Sequence, residues 1–263
     1  MHPASRSPTR RIVAATEGSP HGDYAATVAR AIAAAAGAEL VVLCVVAQGE
    51  APPPIAGQWT ATASGGAPTA VAERVRVEVL AGHPSIEIVH GAERLKASLL
   101  VIGRRPAAEL GDAMLGPTAD QVVRRSSIPC LVIPDGAWRD HPRILAAVDG
   151  TERGVAVLRG ATRVAELCCG SMRAVTVLGE PPIGGVAEWP KDRGRRRADA
   201  RPDPPVLLRH GDPVDEVLAE AGSGVDVVAV GMRRLGRPDS SLERGIARRV
   251  LRRATGAVLT IPL

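Results

Sequence analysis

Two stretches decide the fold: RRIVAATEGS at residues 10–19 and PRILAAVDGT at residues 142–151. They are near-copies, 132 positions apart. Each is a short apolar run with little polar alternation, the pattern of a strand buried on both faces. A Gly and then a Ser or Thr follow, the residues that turn a chain and cap a helix. Working outward, VEVLAGHP (77–84) pairs with VLLRHGDP (206–213), and LLVIGRR (99–105) with VVAVGMR (227–233). The stretch 115–134 pairs with 243–262 at a spacing of 128. The chain therefore reads as one unit written twice, with a polar tail at 1–9, copies at 10–135 and 142–263, and a join at 136–141.

Within the first copy, strands are expected at Ile12–Ala15, Leu40–Val46, Arg76–Leu80, Leu99–Ile102 and Cys130–Ile133. Ser19 followed by Pro20 opens a helix carrying Tyr24, Val28, Ile32 and Ala35 on one face, and Gly37 stops it. A second helix runs from Pro84 to about Lys96 and is slackened at Gly91. A third covers Thr118–Ser126, where Thr118 with Gln121 fits a capping box. In the second copy, strands are expected at Ile144–Val148, Ala174–Leu178, Val206–Leu208, Val227–Val230 and Val258–Ile261, with a helix after Thr151. Strands alternating with helices make this an α/β chain of two doubly wound domains, each a five-stranded parallel sheet with helices on both faces. The Gly- and Pro-rich stretches 47–74 and 179–205 read mostly as loop.

Composition narrows the functions. The 263 residues include no Phe, and the only aromatics are Tyr24, Trp59, Trp138 and Trp189. That counts against base-stacking platforms for single-stranded nucleic acid and against aromatic cages. The net charge is +5, and the cations are Arg apart from Lys96 and Lys191. The densest patch, Arg193 to Arg197 with Arg201, reads as a solvated loop, so nucleic acid is disfavoured as a partner. No secretory leader and no apolar run of membrane-spanning length is present, and cytoplasm is the simplest compartment. The four cysteines lack metal-ligand spacing. Cys44 and Cys130 lie in strand-like runs as buried thiols, and the vicinal Cys168–Cys169 pair is a candidate redox site.

The chain resembles the universal stress protein family in its tandem form. The likeness rests on Thr16–Ser19 and Val148–Thr151, the Gly-x-Pro turns at 82–84 and 211–213, the strand-ending Gly103 and Gly231, and the closing CLVIP and VLTIP runs. It implies that the copies pair through their last strands, Cys130–Ile133 with Val258–Ile261, and leaves room for a homodimer. One branch of the family binds ATP through Gly, two residues, Gly, nine residues, Gly and Ser or Thr, with an Asp at the end of the first strand.

Both copies depart from that pattern. Copy one has Gly103, Pro106, Gly116 and Pro117, with Thr118 one position late and Glu17 in place of Asp. Copy two has Gly231, Arg234, Arg244 and Gly245, with Asp149 kept. Arg104, Arg105, Arg233 and Arg234 lie beside the loops and are candidate phosphate contacts. The expectation is a stress-response or regulatory protein binding ATP, another adenine nucleotide or a small molecule at a degenerate site in copy one. An interaction or structural protein with vestigial crevices is the alternative. A slow ATP hydrolase is disfavoured, because no general-base constellation is visible. Walker, dinucleotide and nucleophile-elbow motifs are absent. His83 and His210 read as solvated loop residues.

Overall fold

A computed structural model describes residues 10–49, 75–105, 115–179, 204–234 and 245–263. The tail at 1–9, most of both long Gly- and Pro-rich stretches, Pro106, Arg244 and the Arg193–Arg201 patch lie outside them. The first half runs β1 (Arg11–Ala15), α1 (Pro20–Ala36), β2 (Glu39–Val46), β3 (Val75–Ala81), α2 (Pro84–Arg94), β4 (Leu99–Arg104), α3 (Pro117–Arg125) and β5 (Cys130–Pro134). The second repeats it with β6 (Arg143–Ala147), α4 (Glu152–Leu167), β7 (Ser171–Leu178), β8 (Val206–His210), α5 (Pro213–Ala221), β9 (Val227–Met232), α6 (Ile246–Arg253) and β10 (Ala257–Pro262).

All ten strands form one sheet, in the order β3-β2-β1-β4-β5-β10-β9-β6-β7-β8. Every neighbouring pair within a half is parallel. The halves meet at an antiparallel seam where Val258 faces Val132, Leu259 faces Leu131 and Thr260 faces Cys130. This is the pairing the family resemblance implies. It turns two strand edges, otherwise open to other chains, into the middle of a continuous sheet.

Strand burial follows from coverage on both faces. Alternate residues of β1 go to opposite cores: Ile12 and Ala14 join α1 and α4, while Val13 and Ala15 join the layer of α2, α3, α5 and α6. Val, Leu, Ile and Ala fill both layers, so the lack of Phe does not weaken the core. The outer strands β3 and β8 are less covered, and Val79 and Leu208 are exposed there. The join is held down: Tyr24 Oη accepts from Trp138 N at 3.0 Å, and His21 Nδ1 lies 2.7 Å from Asp135 Oδ2.

Two local expectations are corrected. α2 runs through Gly91 without a break. A Cβ there would meet Leu43 Cδ1 at 2.8 Å, so this glycine lets the helix lie close on the sheet. The capping box at α3 does not form either. Gly116 is the N-cap, Pro117 occupies the first turn, and no side chain caps the helix. Gln121 instead accepts from Ser85 Oγ at 2.9 Å, tying α3 to α2. Among the described residues, no helix is long and apolar enough to cross a membrane.

Candidate functional site

In each half the chain leaves the first strand in one direction across the sheet and reaches the fourth strand on the other side. That switch opens a crevice beyond the strand C-termini, where the loops diverge. The first-half crevice is about 430 Å³ and the second-half crevice about 460 Å³.

The loop after the first strand is built alike in both halves. Gly18 and Gly150 have φ of 87° and 70°, a conformation that glycine adopts without strain. Ser19 and Thr151 then cap α1 and α4, accepting from Gly22 N and Gly154 N. The turn places Glu17 and Asp149 at the crevice rims, both exposed. Glu17 Oε1 accepts from Ser19 Oγ at 2.7 Å. Asp149 Oδ1 accepts from Thr151 N at 3.1 Å and Thr151 Oγ1 at 2.6 Å. In each case one carboxylate oxygen is held by its own turn.

The opposite wall is the start of the last helix. α1, α4 and α5 have side-chain caps, from Ser19, Thr151 and Asp212. α2, α3 and α6 begin at His83, Gly116 and Gly245 with none; the starts of α2 and α3 line the first-half crevice and that of α6 the second. First-turn N–H groups without a side-chain acceptor, at the positive end of a helix dipole, favour an anion. α3 has lost one such donor to Pro117, whereas α6 keeps Ile246 in that place.

All six first-half candidates, Glu17, Gly103, Arg104, Arg105, Gly116 and Thr118, line one crevice. Gly103 is also demanded by packing, because a Cβ there would sit 2.3 Å from His21 O of α1. The two arginines part ways. Arg105 is exposed. Arg104 is buried and crosses the seam, donating from Nη1 to Leu251 O at 2.8 Å and from Nη2 to Ala254 O at 2.6 Å. Burial lowers its pKa from the ordinary arginine value. Its guanidinium thus holds the C-terminus of α6, and its Nε is left without a partner among the described residues.

In the second half, Asp149, Gly231 and Arg233 line the crevice. Arg234 does not: its Nε donates to Arg125 O at the end of α3 at 3.3 Å. Sequence reasoning passed over His21 in the first crevice, and Arg153 and Arg248 in the second. All three sit in first helical turns at the crevice wall, and that position is the signal that could have found them. Strict spacing puts Arg244 at the third-glycine position of copy two, next to Gly245. Val122 and Val250 keep the 128-residue spacing, but α6 starts one residue later than α3, so Gly245 rather than Arg244 is its N-cap. Among the described residues, no group of three His, Cys, Asp or Glu side chains is placed to hold a metal ion.

Residues 8–134 match the model of the Universal stress protein family. A universal stress protein of Methanocaldococcus jannaschii is 37% identical over 60 residues, 23% of this chain. The chain spans 35% of the length of that curated relative. Among solved structures, a universal stress protein from Archaeoglobus fulgidus superposes with a TM-score of 0.66 at 18% identity, covering 96% of this chain and 98% of that one. A functionally unknown protein from Pseudomonas aeruginosa gives 0.69 at 15% identity, covering 97% and 92%. At such identities the likeness is one of fold, and it extends over both halves.

Proposed function

Through residues 8–134 the chain belongs to the universal stress protein family, and we propose from that premise that it is a regulatory binding protein whose first-half crevice takes an adenine nucleotide. The observation carrying this reading is convergence. Glu17, Gly103, Arg105, Gly116 and Thr118 come from three separate stretches of sequence and line one crevice of about 430 Å³. Each has a role the chemistry needs. The first-turn N–H groups of α3 and the Thr118 hydroxyl donate to phosphate oxygens. Arg105 supplies the compensating charge. Glu17 keeps one carboxylate oxygen outside its bond to Ser19 and accepts from ribose hydroxyls. Leu43, Val45 and Ile88 form the apolar side against which the base lies, with no Phe, Tyr or Trp in the lining.

The second-half crevice is proposed as a second site of the same kind, built on Asp149, Gly231, Arg233 and the start of α6. The protein acts by binding rather than turnover, in the cytoplasm, with small-molecule ligands rather than nucleic acid. The nucleotide content of the purified protein and a calorimetric titration with ATP test the reading. Bound adenine nucleotide or saturable heat supports it. An empty protein with no heat at millimolar ATP overturns it.

A further inference from the structure

We infer that the two crevices are antagonistic sites, coupled across the seam by the ion pair of Arg248 with Asp120, so that an anion bound in one weakens binding of an anion in the other. The inference rests on the reading of both crevices as phosphate-binding sites and adds a rule that governs them together.

The geometry is asymmetric and specific. Arg248 lies in the first turn of α6 and lines the second-half crevice. Its Nε does not reach a hydrogen-bond acceptor among the described residues. It lies instead 3.4 Å from Oδ1 of Asp120, with both side chains less than one-fifth exposed. Asp120 belongs to the other half, in the first turn of α3, whose start lines the first-half crevice. Asp120 itself lines neither crevice.

One arginine therefore has two claims on it. With the second crevice empty, its charge offsets the Asp120 carboxylate beside the phosphate wall of the first. A phosphate in the second crevice draws the guanidinium toward itself. Among the described residues, the Asp120 carboxylate is then balanced by Arg124 alone, 3.5 Å away on its own helix. A less fully compensated carboxylate in the first turn of α3 opposes an anion arriving at that same helix start. The effect is reciprocal, because a coupling free energy between two sites is shared by both. The far ends of both helices are anchored in the opposite half, α6 by Arg104 and α3 by Arg234. Rearrangement is thereby confined to the helix starts, where the crevices are.

The test is a titration of the isotope-labelled full chain with ATP, followed by amide resonances. Thr118 and Ala119 report the first crevice, and Ile246 and Ala247 the second. In the wild type the second crevice to fill should bind more weakly than in Asp120→Asn, by up to about fivefold, the upper end expected for loss of one partly exposed ion pair. Asp120→Glu, which keeps the charge, should retain the antagonism. Filling of only one crevice in the wild type and of both in Asp120→Asn is the extreme form of the same result. Two sites filling independently with equal constants in wild type and Asp120→Asn would overturn the inference and leave the nucleotide reading standing. A single responding crevice in both proteins would also overturn it. No response from either set of amides would overturn the nucleotide reading and the inference with it.

Discussion

Replacing Arg104 by Met should destabilise the protein by about 2–3 kcal/mol, whereas the same change at neighbouring Arg105 should leave stability unaltered. Arg104 is 7% exposed, and its guanidinium donates to two carbonyls at the end of α6, at 2.8 and 2.6 Å. Each hydrogen bond from a charged donor is worth about 1.5–3 kcal/mol, and its loss leaves a helix-terminal carbonyl unmet. The gross loss is therefore about 3–6 kcal/mol. Part returns, because Met carries no buried charge, no unpartnered Nε and no desolvation penalty. For a chain of this length the unfolding entropy, about 2.1 cal/mol/K per residue, converts the net 2–3 kcal/mol into a Tm lowered by about 5 °C. Thermal unfolding followed by circular dichroism reads the shift, and hydrogen exchange should show faster opening of α6. Arg105→Met should stay within about 0.5 kcal/mol of wild type, as exposed substitutions do. The reasoning fails if Arg104→Met melts within about 1 °C of wild type, or if Arg105→Met falls as far.

Three further outcomes follow from other parts of the structure. Gly103→Ala places a methyl group 2.3 Å from the His21 carbonyl oxygen and should cost about 3 kcal/mol, measured by urea unfolding, because backbone cannot swing aside as a side-chain tip can. Cys169 is exposed while Cys44, Cys130 and Cys168 are buried, and burial pushes the thiols of Cys130 and Cys168 up to about 12. A chromogenic disulfide reagent at pH 8 should therefore modify Cys169 quickly and the others only on unfolding, which argues against a working Cys168–Cys169 redox pair. Asp212 caps α5, and the hydrogen bonds from Asp215 N and Val214 N, with Arg249 nearby, hold its carboxyl below the ordinary range. A depressed folded-state pKa means this stabilisation is complete at neutral pH and is lost as pH falls from about 4 through the lower folded value. The stability advantage of wild type over Asp212→Asn should accordingly shrink as pH falls below about 5 and be flat above it.

The fold was legible because its signals are local and repeated. RRIVAATEGS and PRILAAVDGT each carry a buried strand, a turn glycine and a helix cap in ten residues. The strand seam followed from the family resemblance. Helix interiors and starts were harder. Gly91 looked like a weak point in α2 because its reason, the Leu43 side chain beneath it, is remote in sequence. Thr118 and Gln121 had capping-box spacing, but Pro117 starts the helix one residue earlier and Ser85 engages Gln121.

The candidate site was legible as a set of strand ends and helix starts, and less so as individual roles. Arg104 and Arg105 are indistinguishable as letters. Only the packed structure separates a guanidinium buried across the seam from one left at the crevice rim. Arg234 and Arg248 likewise take partners from the opposite half, at distances in sequence that no local pattern reports. The one-residue difference between the starts of α3 and α6 moved the third glycine of copy two, which strict spacing could not anticipate.

The central claim is tested most directly by calorimetric titration of ATP into the wild-type protein beside Arg105→Met/Thr118→Val, which removes a rim charge and a hydroxyl from the first crevice without touching its packed glycines. Saturable heat in the wild type, with first-crevice binding weakened at least tenfold in the double variant, is the predicted result. No heat in the wild type, or an isotherm unchanged by the double variant, would contradict the account.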